Sequence, residues 1–192
     1  GSWLSCEETE DKAGENSAVK DHGYVFEVKA DASSGLIKAQ PLTAMGRFYH
    51  EAAAVDPRTG IVYMTEDRVD GLFYRFIPEK RGELSAGGKL QALALRDSRQ
   101  GDTRNWDTPG APAKIDPGVS LPVHWIDIED RFGRDGYVRE GGRAKGAALF
   151  ARGEGIWFGN ERFYMAMTNG GKVGAGQIWT YRPSPFEGTR FE

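Results

Sequence analysis

Four places in this chain put acidic side chains beside an apolar run, and together they could hold a metal ion. Cys6-Glu7-Glu8 closes a run that begins at Trp3. A thiolate beside carboxylates is a mixed soft and hard donor set, which suits iron or zinc better than calcium. The competing reading is a small buried cysteine followed by two surface acids, since a lone cysteine has no spacing partner. Glu51 follows His50 and opens the run Ala52-Ala53-Ala54-Val55. An acid in that place is costly to bury unless paired or metal-bound, and a solvated strand end is the alternative. Thr65-Glu66-Asp67 closes another apolar run, with Asp70 just before Gly71. Two adjacent carboxylates repel unless a cation, or an arginine such as Arg68, lies between them. Hard oxygen donors of this kind suit calcium, while Asp before glycine is also an ordinary turn. The fourth place is Arg152-Gly153-Glu154-Gly155. Glycines on either side of an acid let the backbone bend close to a ligand, and Arg152 could grip a phosphate oxygen bidentately. A glycine turn with a surface ion pair is the plainer reading.

Other chemistry finds little support. His22, His50 and His124 lack the spacing of a zinc motif and read as structural. There is no Gly-x-Ser-x-Gly elbow for a hydrolase triad. Asn169-Gly170-Gly171 reads as a turn, because no lysine or helix start follows in the frame of a phosphate loop.

The elements that would position the four acidic places follow one plan. Trp3–Cys6, Gly60–Thr65 and Arg162–Met167 are aromatic or β-branched runs. Each leads through a polar loop to a second run opened by glycine, at Gly23, Gly71 and Gly176. This composition with flanking turn residues predicts strands. Gly23 and Gly71 lie 48 residues apart, the interval of a four-stranded propeller blade. The 105 residues from Gly71 to Gly176 leave room for another blade or a long insertion. In a propeller, loops at equivalent positions converge on one end of the axis, which would gather the acids. Asp56-Pro57-Arg58-Thr59-Gly60 predicts a type I turn. Residues 79–120 are polar and irregular, with at most one strand over 89–95. Residues 125–128 predict a further strand, and the alanines of 144–151 permit a helical turn. The expectation is a single all-β domain over 1–192, a partial β-propeller of antiparallel sheets, with an irregular insertion near 79–120.

Bulk properties agree. Twenty-six glycines and nine prolines in 192 residues imply many tight turns and short strands. The net charge of -3 and the lack of a basic stripe argue against a nucleic-acid partner. No apolar run approaches membrane-spanning length. The chain opens on Gly-Ser-Trp-Leu without a signal peptide. Cys6 is the sole cysteine, so an intramolecular disulfide is excluded.

In order and composition these motifs resemble the PhoX family of secreted alkaline phosphatases. The match runs through Trp3–Glu8 with His22–Val28, then Gly46–Ala52 through Thr65-Glu66-Asp67 and Gly71–Phe76. Glu154–Trp157 and Gly176–Trp179 complete it, and about residues 80–145 are left uncovered. The resemblance implies a six-bladed propeller with an axial site holding iron and calcium, and hydrolysis of phosphate monoesters. It implies Cys6 and Glu66 as iron ligands with Glu154 close behind. Glu7, Glu51 and Asp67 would be carboxylates of the same cluster, and Arg152 the substrate-phosphate contact. It also implies a periplasmic or secreted location. Family chains are longer, so this one is expected to be an internal portion whose open strand edges favour homo-oligomers. Two other functions compete: a non-catalytic propeller fragment that binds calcium or assembles, and a lactonase-like propeller hydrolase with a calcium held by carboxylates. Cys6 favours the phosphatase, because a calcium-only site has no use for a thiolate.

Overall fold

A computed structural model of the chain describes residues 1–98, 101–108, 115–134 and 136–189. The described residues form three antiparallel sheets and one α-helix, with short 3-10 turns between them. Strands β1 (Ser2–Cys6) and β2 (Val25–Lys29) pair with Cys6 opposite Val25. The largest sheet is a meander of five strands: β3 (His50–Val55), β4 (Val62–Glu66), β5 (Phe73–Pro78), β6 (Gly88–Leu95) and β7 (Val123–Asp127). Helix α1 (Val138–Lys145) follows, and then β8 (Gly153–Gly159), β9 (Arg162–Met167) and β10 (Gln177–Tyr181) make the third sheet. The three repeated sequence units are the hairpins β1-β2, β4-β5 and β9-β10, each with its glycine just before the second strand.

Side-chain alternation makes the large sheet the middle layer. Val62 and Met64 of β4 point into a core shared with Val25, Phe48, Tyr74 and Leu90. Ile61 and Tyr63 point the other way, into a core shared with Phe73, Phe163, Met165 and Tyr181. All five residues of β4 are therefore buried, as a strand covered on both faces requires. The second core is largely aromatic. Tyr63 lies 4.1 Å from Phe163 between ring centroids, and Trp125 meets Tyr181 edge-on at 5.5 Å. Its polar tips converge on Glu187, whose Oε1 accepts from the Tyr63 and Tyr181 hydroxyls at 2.8 and 2.6 Å and pairs with Arg75. A buried carboxylate satisfied in this way is tolerated, and it fastens the segment after β10 to the middle layer.

The expected strand at 89–95 is β6, and the one at 125–128 is β7. The turn before β4 closes one residue later than a type I turn would, with the Gly60 N–H donating to the Asp56 carbonyl at 2.8 Å, the Asp56 carboxylate accepting from the Arg58 N–H at 2.8 Å and Gly60 at φ +81°. The helix lies earlier than the alanines predicted. It ends at Gly146, whose left-handed φ of 110° breaks it, and residues 147–151 run extended between the layers. There Ala148 N–H donates to Leu93 and Phe150 N–H to Gly71, so small residues serve close backbone approach rather than helix. Residues 99–100 and 109–114 of the expected insertion lie outside the described residues.

Candidate metal and phosphate site

All three sheets send a strand end to one place. Glu8 follows β1, Glu51 opens β3 and Asp67 follows β4, and their carboxylate oxygens lie within 4.8 Å of one another. Strand register explains how Glu51 gets there. The β3–β4 pairing slips between His50 and Ala53, so Glu51 sits in a β-bulge. The β8–β9 pairing slips between Gly153 and Ile156, which puts Glu154 in a second bulge. Bulges bend a strand and re-aim its side chains, and they concentrate beside functional sites. Thr65 lies between the two: its Oγ1 accepts from the Ala52 N–H at 3.2 Å and donates to the Glu154 carbonyl at 2.6 Å.

Arg152 faces the acids. Its Nε and Nη2 donate to the two oxygens of Asp67 at 2.7 and 2.8 Å, and Nη2 also lies 3.3 Å from Glu154 Oε1. Glu154 Oε1 accepts from the Thr168 hydroxyl at 3.1 Å. Arg152 adopts φ +52°, a left-handed conformation unusual for a residue with a side chain. Burial, then the charges of Glu8, Glu154 and Asp67, push the Glu51 carboxyl up to about 7. Cys6, the last residue of β1, is half-buried, and burial together with the Glu51 charge pushes its thiol up to about 11. One guanidinium against three clustered carboxylates leaves negative charge that a cation would balance. Oxygen donors with a thiol at their margin fit calcium or iron.

The sequence matches the family described as Alkaline phosphatase PhoX over residues 1–192. The chain belongs to the PhoX family. Among solved structures, this PhoX-family chain is similar to Pseudomonas fluorescens PhoX in complex with vanadate, a transition state analogue. The TM-score is 0.55 and the identity 20%. The likeness covers 85% of this chain and 33% of that one, so the chain spans about a third of the length of that protein. No curated protein sequence matches the chain significantly.

Of the acids expected at this PhoX-family site, the structure brings Glu51 and Asp67 into the cluster, with Glu154 and Cys6 at its margin. Glu7 and Glu66 are engaged elsewhere. The Glu7 carboxylate pairs with His22 Nδ1 at 2.9 Å and accepts from the Gly23 and Tyr24 N–H groups at 2.9 and 3.1 Å. Glu66, fully buried, accepts from Leu72 N–H and the Tyr74 hydroxyl, each at 3.0 Å, and lies 3.5 Å from Arg139. Burial raises Glu66 to about 8 although Arg139 and those two bonds pull it down. For Glu66, an expected iron ligand, strand geometry gives the reason: it ends β4, where successive side chains alternate faces, and it turns away from the side of Thr65 into the buried bonds above. Glu8, which reads as a surface acid in the sequence, lies two residues past the end of β1 and joins the cluster.

The clamps reach further than sequence shows. Arg68, a candidate to neutralise Asp67, donates to Glu10 Oε2 at 2.9 Å instead, leaving Asp67 to Arg152. Arg139 of α1 also reaches Glu10, at 3.1 Å, and the Arg47 guanidinium donates to the Glu10 carbonyl. The segment carrying Glu8 is thus held at Glu7 and at Glu10, and the one carrying Asp67 at Glu66 and at Arg68. Of the histidines, His50 is fully buried, stacked 3.5 Å from Phe48, and burial lowers it to about 3. It is a neutral core side chain.

Proposed function

We propose that this chain carries part of the site of a metal-dependent phosphomonoesterase of the alkaline phosphatase kind, within a β-propeller whose sheets are its blades. The convergence of Glu8, Glu51 and Asp67 on Arg152, in a chain that belongs to the PhoX family, carries the reading. Glu8, Glu51 and Asp67 would hold calcium or iron through oxygen, with Glu154 and the Cys6 thiol completing the donor set on the iron side. Such cations polarise a phosphoryl oxygen and lower the pKa of bound water. Arg152 supplies the anion contact. Its side chain keeps 41% of its surface exposed while Asp67 and Glu154 occupy Nε and Nη2 and fix its plane, which leaves the two N–H groups of Nη1 for an equatorial phosphate oxygen. The vanadate held by the Pseudomonas fluorescens protein is consistent with a phosphate-ester substrate. A periplasmic or secreted location goes with this reading.

A second reading is a calcium-binding or assembly module without catalysis, in which the same clustered carboxylates hold a cation without turnover. Trp157 and Ile178, exposed together on the outer side of the third sheet, support homo-oligomer formation. Metal analysis of the purified chain with a chromogenic phosphomonoester separates the two. Bound iron and calcium, with hydrolysis lost in Glu51→Gln, supports the phosphatase. Calcium alone without turnover supports the calcium-binding module, and neither metal ends the phosphatase and leaves the assembly module.

A further inference from the structure

We infer that Thr65 is a positioning residue of the acidic site, its hydroxyl fastening together the two β-bulges that carry Glu51 and Glu154. The inference rests on the cation reading of the Glu8, Glu51 and Asp67 cluster. A bulge leaves backbone groups without regular ladder partners. In β3 such a group is the N–H of Ala52, next to Glu51; in β8 it is the carbonyl of Glu154 itself. Thr65 Oγ1 serves both, accepting from the first at 3.2 Å and donating to the second at 2.6 Å. A hydroxyl is the smallest side-chain group that can accept on one side and donate on the other. Thr65 is fully buried, so water has poor access to take over either bond. The two strands are also drawn tight here. A Cβ added at Gly153, just before Glu154, would lie 3.1 Å from Thr65 Cβ. Both bonds go to backbone, so Thr65 acts through the residues it places. Outer partners of this kind typically change metal affinity by about 10- to 100-fold when removed.

The experiment is a calorimetric calcium titration of the whole chain as wild type, Thr65→Val, Thr65→Ala and Thr65→Ser, with a melting temperature for each. Val keeps the shape of threonine without its hydroxyl, and Ser and Ala differ from each other by the hydroxyl. The Val and Ala variants are expected to bind calcium about tenfold more weakly or worse, and Ser to stay close to wild type. If Ser and Ala bind calcium equally well and differ from wild type only in melting temperature, Thr65 is merely structural and the inference is overturned. If Thr65→Val does not fold, the Ser and Ala pair decides. Should the wild-type chain bind no calcium, the calcium form of the cation reading fails. Crystal structures of wild type and Thr65→Ala then decide the positioning role: displaced Glu51 and Glu154 uphold it, and unmoved bulges overturn it.

Discussion

Arg152 carries two burdens at once, an ion pair with Asp67 and a left-handed backbone. That conformation costs about 1–2 kcal/mol for a residue with a Cβ and nothing for glycine. Arg152→Gly is expected to melt about 2–8 °C above Arg152→Ala, while both would lower the proposed hydrolysis by about 10²- to 10³-fold. Equal melting temperatures in a thermal scan would contradict the strain. Glu51 gives a pH prediction. Its carboxyl moves from 4.5 to about 7 on folding, so the folded chain binds that proton more tightly than the unfolded one. Cation-free stability therefore falls as pH rises between these values, by on the order of 1 kcal/mol once solvent screening is allowed for. Melting curves from pH 4.5 to 7.5 should flatten in Glu51→Gln, without becoming level, because Glu66 shifts in the same direction. At this scale the sequence was legible to within one residue. It marks Cys6-Glu7-Glu8 and Glu66-Asp67 as acidic strand ends, but which acid of each pair faces the cluster depends on strand phase, and bulges and caps fix that phase only in the fold.

The hairpins were legible because aromatic runs opened by glycine have few other uses. The bulges were not. Only the glycines around Glu154 hinted at one, and nothing in His50-Glu51-Ala52-Ala53 distinguishes a bulged start from a regular one. Helix α1 was hidden for a related reason: Gly141 and Gly142 weaken its helical signal, while tertiary contacts hold it in place. Gly142 packs where a Cβ would come within 2.6 Å of Leu72 Cδ1. Arg139 then brings the helix to Glu10 and Glu66, so the helix serves as a brace for the acidic strand ends. Gly153 tests the closeness of β8 and β4. Gly153→Val places bulk against Thr65 and the Glu66 backbone, both within 3.4 Å of a Cβ there. The expected cost is about 1–3 kcal/mol in a denaturant titration. Unchanged stability would mean that β8 can move away freely.

At the scale of the whole chain, the repeat interval predicted four-stranded blades, and the described residues instead form antiparallel sheets of two, five and three strands. The aromatic second core and its Glu187 anchor were illegible, because a carboxylate that far along the chain shows no periodic relation to Tyr63 or Arg75. One consequence follows from the way the layers share the acidic site. The first sheet leads into Glu8, the middle one holds Glu51 and leads into Asp67, and the third contributes Glu154. A cation there would act as a removable cross-link between parts of the chain that otherwise meet through side-chain packing and scattered bonds such as Thr65 to Glu154 and Arg68 to Glu10. At a hundredfold excess over its dissociation constant, a ligand that binds only the folded form adds about 2.7 kcal/mol. Hydrogen–deuterium exchange should show calcium slowing the amides of β1-β2 and of β8-β10 by a common factor, as though the outer sheets had joined the middle one in a single opening unit. Protection confined to residues within a few positions of the carboxylates would mean that each layer still opens by itself.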